Sequence, residues 1–343
     1  MILNWNGWRD TIECLESINQ LEYPNIDVVI VDNGSKDESV EMLEAYAAGR
    51  TDISSRSPII GPVGNHLEID GRNGSKQGTT EVIRESVTGK NRLAKTIAVL
   101  KNQKNFGFSE GNNIGMRHAL ETFAPDYLLL LNNDVVVDRR MVSELVDIGE
   151  QFENAGILGP KTLLYDHPDT IQLTYNRINL SRGTILLAGE GERDSGKYDE
   201  MVDTDYVPGS CFLIKEGVVK DIGLLDSSFF CYWEETDYCL RARSAGYRTV
   251  YCPKARIWHK VSRTAGRLNG FTTYYMTRNM FWFLRRHSTK RQYRSFLIYF
   301  FGYKFWRNTA VILKSDGRLV NLVSNVRGVF DGLKPSEKKV IDA

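Results

Sequence analysis

The densest group of chemically active side chains is a run of acidic and aromatic residues in the last third of the chain. Glu234, Glu235 and Asp237 place three carboxylates within four residues, directly after Trp233. Carboxylates beside aromatic side chains can have a tuned pKa and act as a general base. The same residues would suit the first turn of a helix, which we predict at about residues 235–245. The local pattern leaves both interpretations open.

Two further carboxylates stand close behind predicted strands. Asp32 follows the β-branched run at residues 26–31, and Asp134 follows the four leucines at residues 128–131. Open α/β sheets bind ligands at the carboxyl ends of their strands. There Asp32 can accept hydrogen bonds from a nucleobase or a ribose hydroxyl, and Asp134 or the nearby Asp138 can bind Mg²⁺ or Mn²⁺. A turn or helix-capping role is the alternative for each residue.

A segment rich in glycine and asparagine lies at residues 105–115, before and within a predicted helix. Gly107 lets the backbone approach a ligand closely, and Asn105 and Asn113 can present amide groups. Glycines spaced four residues apart, as here, are equally typical of helix packing. His259 is a lone histidine, and none of the five histidines has the spacing of a metal-binding pair, so taken alone it indicates no metal site.

The elements that must position these residues alternate between strand and helix. Wholly apolar runs indicate strands buried on both faces, so we predict an α/β fold with a mostly parallel sheet and flanking helices. The predicted strands lie at residues 2–4, 26–31, 94–100 and 127–131, and the helices at residues 8–21, 37–48, 111–122, 139–152 and 217–222. Residues 49–92 interrupt this order and are interpreted as an insertion with one hairpin and a mobile loop, and short strands are predicted at residues 156–207.

Charge is unevenly distributed along the 343 residues, although the formal net charge is only +1. Residues 238–315 contain 17 Lys and Arg and no Asp or Glu, and residues 271–306 hold 14 of the 37 aromatic side chains. Such a basic segment indicates an anionic partner, which can be a membrane, a nucleic acid or a phosphorylated substrate. A hydrophobic content of 42% excludes disorder and fibrous repeats.

Several features bear on the cellular compartment. Neither a secretory signal nor an apolar run of about 18 to 20 residues, the length of a membrane span, is recognised in the sequence. The five cysteines are odd in number, scattered and without C-x-x-C spacing. This usage favours reduced thiols in the cytosol over disulfides or zinc.

Taken in order, these motifs resemble the family-2 glycosyltransferases of GT-A fold, particularly their non-processive, rhamnosyltransferase-like branch. The resemblance runs from residues 2–7 to about His259 and continues more weakly through residues 274–279. It implies a GT-A catalytic domain at residues 1–265 and a helical, basic and aromatic extension near a membrane at residues 266–343. Within the catalytic domain we expect a nucleotide-binding half at 1–131, which carries the 49–92 insertion, and a metal and acceptor half at 132–265.

The resemblance also implies roles for individual residues, and a nucleotide-sugar donor with Mg²⁺ or Mn²⁺. Glu235 is the expected catalytic base and Glu234 is the alternative, because the family's Glu-Asp pair corresponds to these two positions. The other expected contacts are Asn4, Asp32, Asn105, Gly107, Asn113 and Asn132 for the donor, Asp134 and His259 for the metal, and Trp233 and Asp237 for the acceptor. Asn132 replaces an acidic residue of the family's metal motif, and Glu235 replaces an aspartate.

The function that this resemblance implies is an inverting transfer of one sugar from a UDP-, dTDP- or GDP-sugar. The expected acceptor is a lipid-linked or cell-surface glycan precursor, and the expected location is peripheral, on the anionic inner face of the cell membrane. The sequence has no Q-x-x-R-W motif of processive synthases. A homodimer is left open. The alternatives are a catalytically weak nucleotide-sugar-binding partner and, lower in rank, a nucleic-acid-binding protein, for which no recognisable module is present.

Overall fold

The computed structural model describes residues 1–47, 55–57, 59, 61–63, 69–77, 80–87, 94–260 and 269–335. A mixed 12-stranded sheet with helices on both faces forms the body of the protein. The strands are β1 (Ile2–Asn4), β2 (Ile26–Asp32), β3 (Ser55–Ser57), β4 (Gly61–Val63), β5 (Ile69–Gln77), β6 (Thr80–Val87), β7 (Ala94–Asn102), β8 (Tyr127–Asn132), β9 (Val135–Val137), β10 (Ala155–Leu164), β11 (Ile171–Leu173), β12 (Asn176–Asn179), β13 (Thr184–Leu187), β14 (Val202–Asp203), β15 (Cys211–Lys215) and β16 (Arg248–His259).

Among the described residues the α-helices fall into two groups, six that flank the sheet and four in the last part of the chain. The first group is α1 (Trp8–Ile18), α2 (Ser39–Ala47), α3 (Gly107–Phe123), α4 (Met141–Gln151), α5 (Glu216–Ile222) and α6 (Glu234–Ser244). The second group is α7 (Gly270–His287), α8 (Lys290–Tyr299), α9 (Phe305–Leu313) and α10 (Arg318–Leu333), with a π-helical turn at Phe300–Lys304 between α8 and α9.

The sheet order is β14-β16-β10-β15-β8-β1-β2-β7-β6-β5, with β11 beside β10 and β9 beside β16. The strands β8, β1, β2 and β7 are parallel neighbours, whereas antiparallel strands join at both sides of this group. Asn4 lies opposite Asp32, and Leu3 lies opposite Asn132. This register brings the carboxyl ends of β1, β2 and β8 together, and it confirms the predicted α/β fold with flanking helices.

Alternating residues of the buried strands divide the core into two layers. In β2, Val28 and Ile30 face one helical layer, while Val29 and Val31 face the other. This is the period of two that a strand imposes on its side chains. A third, largely aromatic cluster joins Phe229 to residues of α7 and α8, so the last helices pack directly on the body.

The region predicted as an insertion contributes strands of its own. β5 and β6 form an antiparallel hairpin that extends the sheet beyond β7, and β3 pairs with β4. The mobile loop predicted within residues 49–92 falls on residues outside those described, as does the predicted domain boundary at residues 265 and 266. β10 has ten residues and is longer than the short strands predicted for its region.

None of the helices in the described part of the chain is both long and apolar enough to span a bilayer.

Candidate functional site

A cleft of about 380 Å³ opens at the carboxyl ends of β1, β2 and β8. Half of the twelve predicted site residues line it, and they come from four different parts of the chain. These residues are Asn105, Gly107, Asn132, Glu234, Glu235 and His259. The cleft therefore collects the polar residues that the sequence places after separate strands.

Asp32 lies at the end of β2 and is almost completely buried. Asn4 Nδ2 donates to its Oδ1 at 2.8 Å, and the backbone N–H of Ser35 donates to its Oδ2 at 3.0 Å. The Ser35 hydroxyl adds a third donor at 2.5 Å. Three donors fix the orientation of this carboxylate, so the contribution of Asn4 is to position Asp32 rather than to line the cleft.

Asn33, which is not among the predicted site residues, links β2 to the loop before α3. Its Nδ2 donates to Asn105 Oδ1 at 3.1 Å and to the Gly107 carbonyl at 3.0 Å, and its Oδ1 accepts from the Phe106 N–H at 3.1 Å. The requirement for glycine at position 107 is strict, because its φ is +85° and an added Cβ would lie 2.5 Å from the Phe230 carbonyl oxygen. The only sequence signal for Asn33 is its position beside Asp32.

Asp134 and His259 meet at the other side of the cleft, where β9 pairs with β16. His259 Nε2 lies 3.2 Å from Asp134 Oδ1, and His259 Nδ1 lies 3.0 Å from Gln172 Oε1. When Nδ1–H donates to Gln172, Nε2 presents a lone pair toward the carboxylate. Gln172 is a second site residue that the sequence does not reveal.

These donors suit a divalent cation. An imidazole with its other nitrogen held by a hydrogen bond, together with one carboxylate, is a usual partial ligand set, and phosphate oxygens can complete it. Within the described ranges, no cluster of three or more His, Cys, Asp or Glu side chains is arranged to hold a metal ion. Asp134 and His259 could serve as two ligands of such a cation, and a bound diphosphate would have to supply others.

Glu234 and Glu235 begin α6 and face the cleft. Burial raises the pKa of both carboxyls, and the neighbouring charge of Glu235 raises that of Glu234 further. The backbone N–H groups of Glu235 and Thr236 and a hydrogen bond from Glu234 stabilise the Glu235 carboxylate, which limits its pKa to about 7. The two carboxyls therefore bind protons more tightly than free glutamates do, and Glu235 is the one whose hydrogen bonds favour its charged form.

The aromatic loop, residues 230–233, leads into this pair through a strained backbone. Phe230, Tyr232 and Trp233 have φ values of +65°, +67° and +75°. This left-handed region disfavours bulky residues and costs about 1–3 kcal/mol for each of them. The surrounding structure must therefore hold the loop in place.

Two consecutive residues of α7, which were not predicted as site residues, bind the carbonyl groups of this loop and of Phe229. Asn279 Nδ2 donates to the carbonyl oxygens of Phe229 at 2.9 Å and of Cys231 and Tyr232 at 2.8 Å. Arg278 Nη2 donates to the Phe229 carbonyl at 2.9 Å. Both residues lie in the segment 274–279, where the sequence resemblance is weaker.

Three predicted site residues are directed away from the cleft. Asn113 is hydrogen-bonded to both the N–H and the carbonyl of Leu225, at 3.0 and 2.9 Å, and so ties α3 to a neighbouring loop. Trp233 is buried against Phe283, with ring centroids 4.9 Å apart. The structure therefore gives Asn113 a structural contact and does not bring Trp233 to the cleft surface.

Asp237 is the third of these residues and is completely buried. It lies 2.8 Å from each of Arg241, Arg286 and His287. Burial alone would raise its pKa, but these three partners outweigh that effect and lower the pKa to about 2. Asp237 thus joins α6 to α7 as an anion and does not line the cleft.

The mixed sheet with flanking helices is of the GT-A type. The structure superposes on a mannosyltransferase of Pyrobaculum calidifontis, solved in complex with GDP-Man and Mn²⁺, with a TM-score of 0.53 and 11% identity, covering 98% of this chain and 86% of that one. Residues 69–290 match the family model for glycosyltransferase like family 2, and residues 1–57 match glycosyl transferase family 2. The chain therefore belongs to glycosyltransferase family 2.

Curated relatives match over a shorter region. A low-salt glycan biosynthesis hexosyltransferase of Haloferax volcanii is 32% identical over 149 residues, which are 43% of this chain and 47% of the relative. The N-acetylglucosaminyl-diphospho-decaprenol L-rhamnosyltransferase of Mycobacterium tuberculosis is 26% identical over 158 residues, 43% of this chain and 51% of the relative. The chain thus spans about half the length of the curated relatives it matches.

Proposed function

We propose that the protein is an inverting glycosyltransferase that moves one sugar from a nucleotide-diphosphate sugar to an acceptor hydroxyl. The observation that carries this proposal is the Glu234–Glu235 pair, two adjacent carboxyls with raised pKa values that line the same cleft as His259. A base with a pKa near 7 is suited to accept a hydroxyl proton during the reaction at neutral pH.

The proposed reaction is a single displacement. The acceptor oxygen forms a bond to the anomeric carbon while the bond from that carbon to the diphosphate oxygen breaks. The proton of the acceptor hydroxyl passes to Glu235, and the pair of electrons of the broken bond leaves with the nucleoside diphosphate. Glu234 remains protonated and its hydrogen bond to Glu235 holds the base in orientation.

The donor would lie along the carboxyl ends of the central strands. Asp32, held by its three donors, is the proposed partner of the base or ribose, and Asn105 and Asn132 are proposed to contact the sugar nucleotide. Asp134 and His259 would hold a divalent cation, which supplies positive charge beside the departing diphosphate. The Mn²⁺ and GDP-Man present in the structural neighbour support this assignment.

The acceptor is proposed to be a lipid-linked glycan precursor at the cytoplasmic face of the cell membrane. The mycobacterial relative, whose name describes a sugar carried on diphospho-decaprenol, supports this class of acceptor. The cleft also has an apolar border, because Phe230, Tyr232 and Phe271 line it and half of the Phe271 surface is exposed. Such a border can accommodate the start of a lipid chain next to its sugar phosphate.

The test is the variant Glu235→Gln, which keeps the size of the side chain but cannot accept the proton. We expect transfer to fall at least about 100-fold, the usual contribution of a general base, while the thermal shift produced by the donor with Mn²⁺ is unchanged. Glu153→Gln, an exposed glutamate away from the cleft, is the matched control and should keep full activity. Full turnover by Glu235→Gln would remove Glu235 from the role of base, and donor binding without turnover in the wild type would favour a sugar-nucleotide-binding partner.

A further inference from the structure

The last helix of the described chain, α10, has its polarity reversed relative to a helix at the surface of a soluble protein. The residues buried against the rest of the protein are small or polar, namely Asn321, Asn325, Gly328, Val329 and Gly332. The opposite side carries exposed apolar residues, namely Leu319, Val320, Val323, Val326, Phe330 and Leu333, which are 40% to 73% exposed. We call this second side the outer face of α10.

Close packing against α7 keeps the outer face of α10 turned outward. An added Cβ at Gly328 would lie 2.8 Å from the Tyr274 carbonyl oxygen, and one at Gly332 would lie 2.9 Å from the Arg278 carbonyl oxygen. Glycines four residues apart let two helix backbones approach, as they do between helices in lipid. The helix cannot turn its apolar residues inward without placing larger side chains against these carbonyl groups.

The adjacent helix α9 adds to the exposed apolar surface. It contacts α10, and its exposed residues include Trp306, which is 63% exposed, together with Val311 and Leu313. Proteins that are monomeric in water seldom expose a contiguous apolar surface of this kind, and such surfaces usually mark a binding site. The indole of Trp306 is a side chain that favours the interface between lipid and water.

The charge of the chain segment that forms this surface suits an anionic partner. From residue 290 to residue 335 the chain has nine Lys and Arg but only two acidic residues, Asp316 and Asp331. Apolar side chains flanked by basic ones bind an anionic bilayer interface, where each basic residue near the surface contributes on the order of 1 kcal/mol. A second copy of the chain would bring the same positive charge to the contact and would be repelled.

We infer that the outer face of α10, with the exposed side of α9, is a docking surface for an anionic phospholipid bilayer, lying in the interface rather than crossing it. The surface reaches toward the cleft, because Gly270 at the start of α7 packs on Val320 and the next residue, Phe271, lines the cleft. Docking on a bilayer is independent of the proposed function. Delivery of a lipid-linked acceptor from the bilayer to the cleft rests on the proposed function.

The experiment is co-sedimentation of the full chain with vesicles of phosphatidylcholine, with and without phosphatidylglycerol. We expect binding to the phosphatidylglycerol vesicles, weakened by salt, and a loss of at least about tenfold in affinity in the double variant Val323→Ser, Phe330→Ser. Leu186→Ser removes a similarly exposed apolar residue from β13 and should not change binding. Both substituted positions are exposed, so unchanged thermal unfolding shows that the double variant is folded.

Two results would overturn the inference. One is that the double variant binds vesicles as well as the wild type does. The other is that the wild type forms a dimer in solution and does not bind vesicles, while the double variant is a monomer. Transfer to a water-soluble acceptor separates this inference from the proposed function, because the double variant should keep that activity. If the wild type fails to bind vesicles but transfers sugar, only the docking surface is wrong. If it binds vesicles but transfers no sugar, only the proposed reaction is wrong.

Discussion

Replacing Asn279 with alanine removes the side chain that holds the aromatic loop in its strained conformation. The loop and Phe229 then lose one donor that serves three carbonyl groups at 2.8 to 2.9 Å. A buried polar group left without its partner costs about 1–3 kcal/mol, and a net hydrogen bond contributes about 0.5–1.5 kcal/mol. Since Arg278 still binds the Phe229 carbonyl, we expect a loss of about 2–4 kcal/mol in the free energy of unfolding.

This loss is comparable to the strain stored in the loop, so the loop should relax. Three bulky residues with positive φ cost about 1–3 kcal/mol each, and the Asn279 hydrogen bonds oppose that cost. Glu234 and Glu235 follow the loop directly and would move with it. A displacement of about 1 Å at a reacting group can reduce a rate about 100-fold, so we expect a fall of that order in kcat. The KM for the donor should change little, because the proposed donor contacts lie on other elements.

The dependence of kcat on pH distinguishes positioning from a general loss of stability. Burial raises the pKa of Glu235 to about 7. A relaxed loop admits water to this carboxyl, so its pKa should fall toward the ordinary value of 4.5 and the acidic limb of the profile should move to lower pH. Asn325→Ala is the matched control, because Asn325 is another buried asparagine, accepts a hydrogen bond from Thr277 at 3.0 Å and lies on α10. It should destabilise the protein without moving that limb.

The assay is the initial rate of transfer across pH for the wild type and both variants, paired with thermal unfolding of each. If Asn279→Ala lowers the melting temperature but leaves kcat and the acidic limb unchanged, the loop does not depend on this residue for the position of the base. The reasoning from strain and hydrogen bonds would then be refuted.

Two further predictions concern charge. For the wild type, kcat should decrease as the pH falls below about 7, because Glu235 becomes protonated. The effect of this group on stability has the opposite sign. Because its pKa in the folded protein lies above the ordinary 4.5, the folded protein becomes less stable as the pH rises from 4.5 to 7. A pH series of rates and of urea unfolding measures both, and a rate that does not vary between pH 5 and 8, roughly the titration range of such a base, would contradict the assignment. Asp237→Asn should destabilise the protein by about 3–5 kcal/mol, because it leaves Arg241 and Arg286 without their buried carboxylate. Urea unfolding at neutral pH measures this loss, and a change under about 1 kcal/mol would show that the ion pairs contribute little.

The parts of the site that follow local patterns could be predicted from the sequence. Apolar runs locate β2 and β8, and the residues after such runs must lie at the carboxyl edge of the sheet, as Asp32 and Asn132 do. The acidic start of α6 was likewise visible in the sequence. In each case one short segment contains all the information that the prediction needs.

The parts that depend on distant segments could not be predicted. Asp237 has the sequence pattern of a surface acid near a helix start, and its burial depends on Arg286 and His287, about 50 residues later. The same holds for Asn279, whose partners in Phe229 and the aromatic loop lie 47 to 50 residues earlier. For α10, the spacing of Val323, Val326 and Phe330 predicts an apolar face, but only the packing of its glycines on α7 shows that this face points outward.

The contacts also divide the basic segment of residues 238–315 into two parts with different roles. Several of its first basic residues are paired with acids of the sheet-containing body: Arg243 with Asp205 at 3.0 Å, Arg248 with Asp203 at 2.7 Å and Arg286 with Asp226 at 2.7 Å. Their charge is balanced within the protein and is not offered to a partner. The basic residues from α8 onward have few acidic neighbours in sequence, so the net positive charge of the segment lies mainly in its second part. Arg278 connects α10 to the sheet-containing body, because its side chain binds the Phe229 carbonyl and its own carbonyl packs against Gly332 of α10.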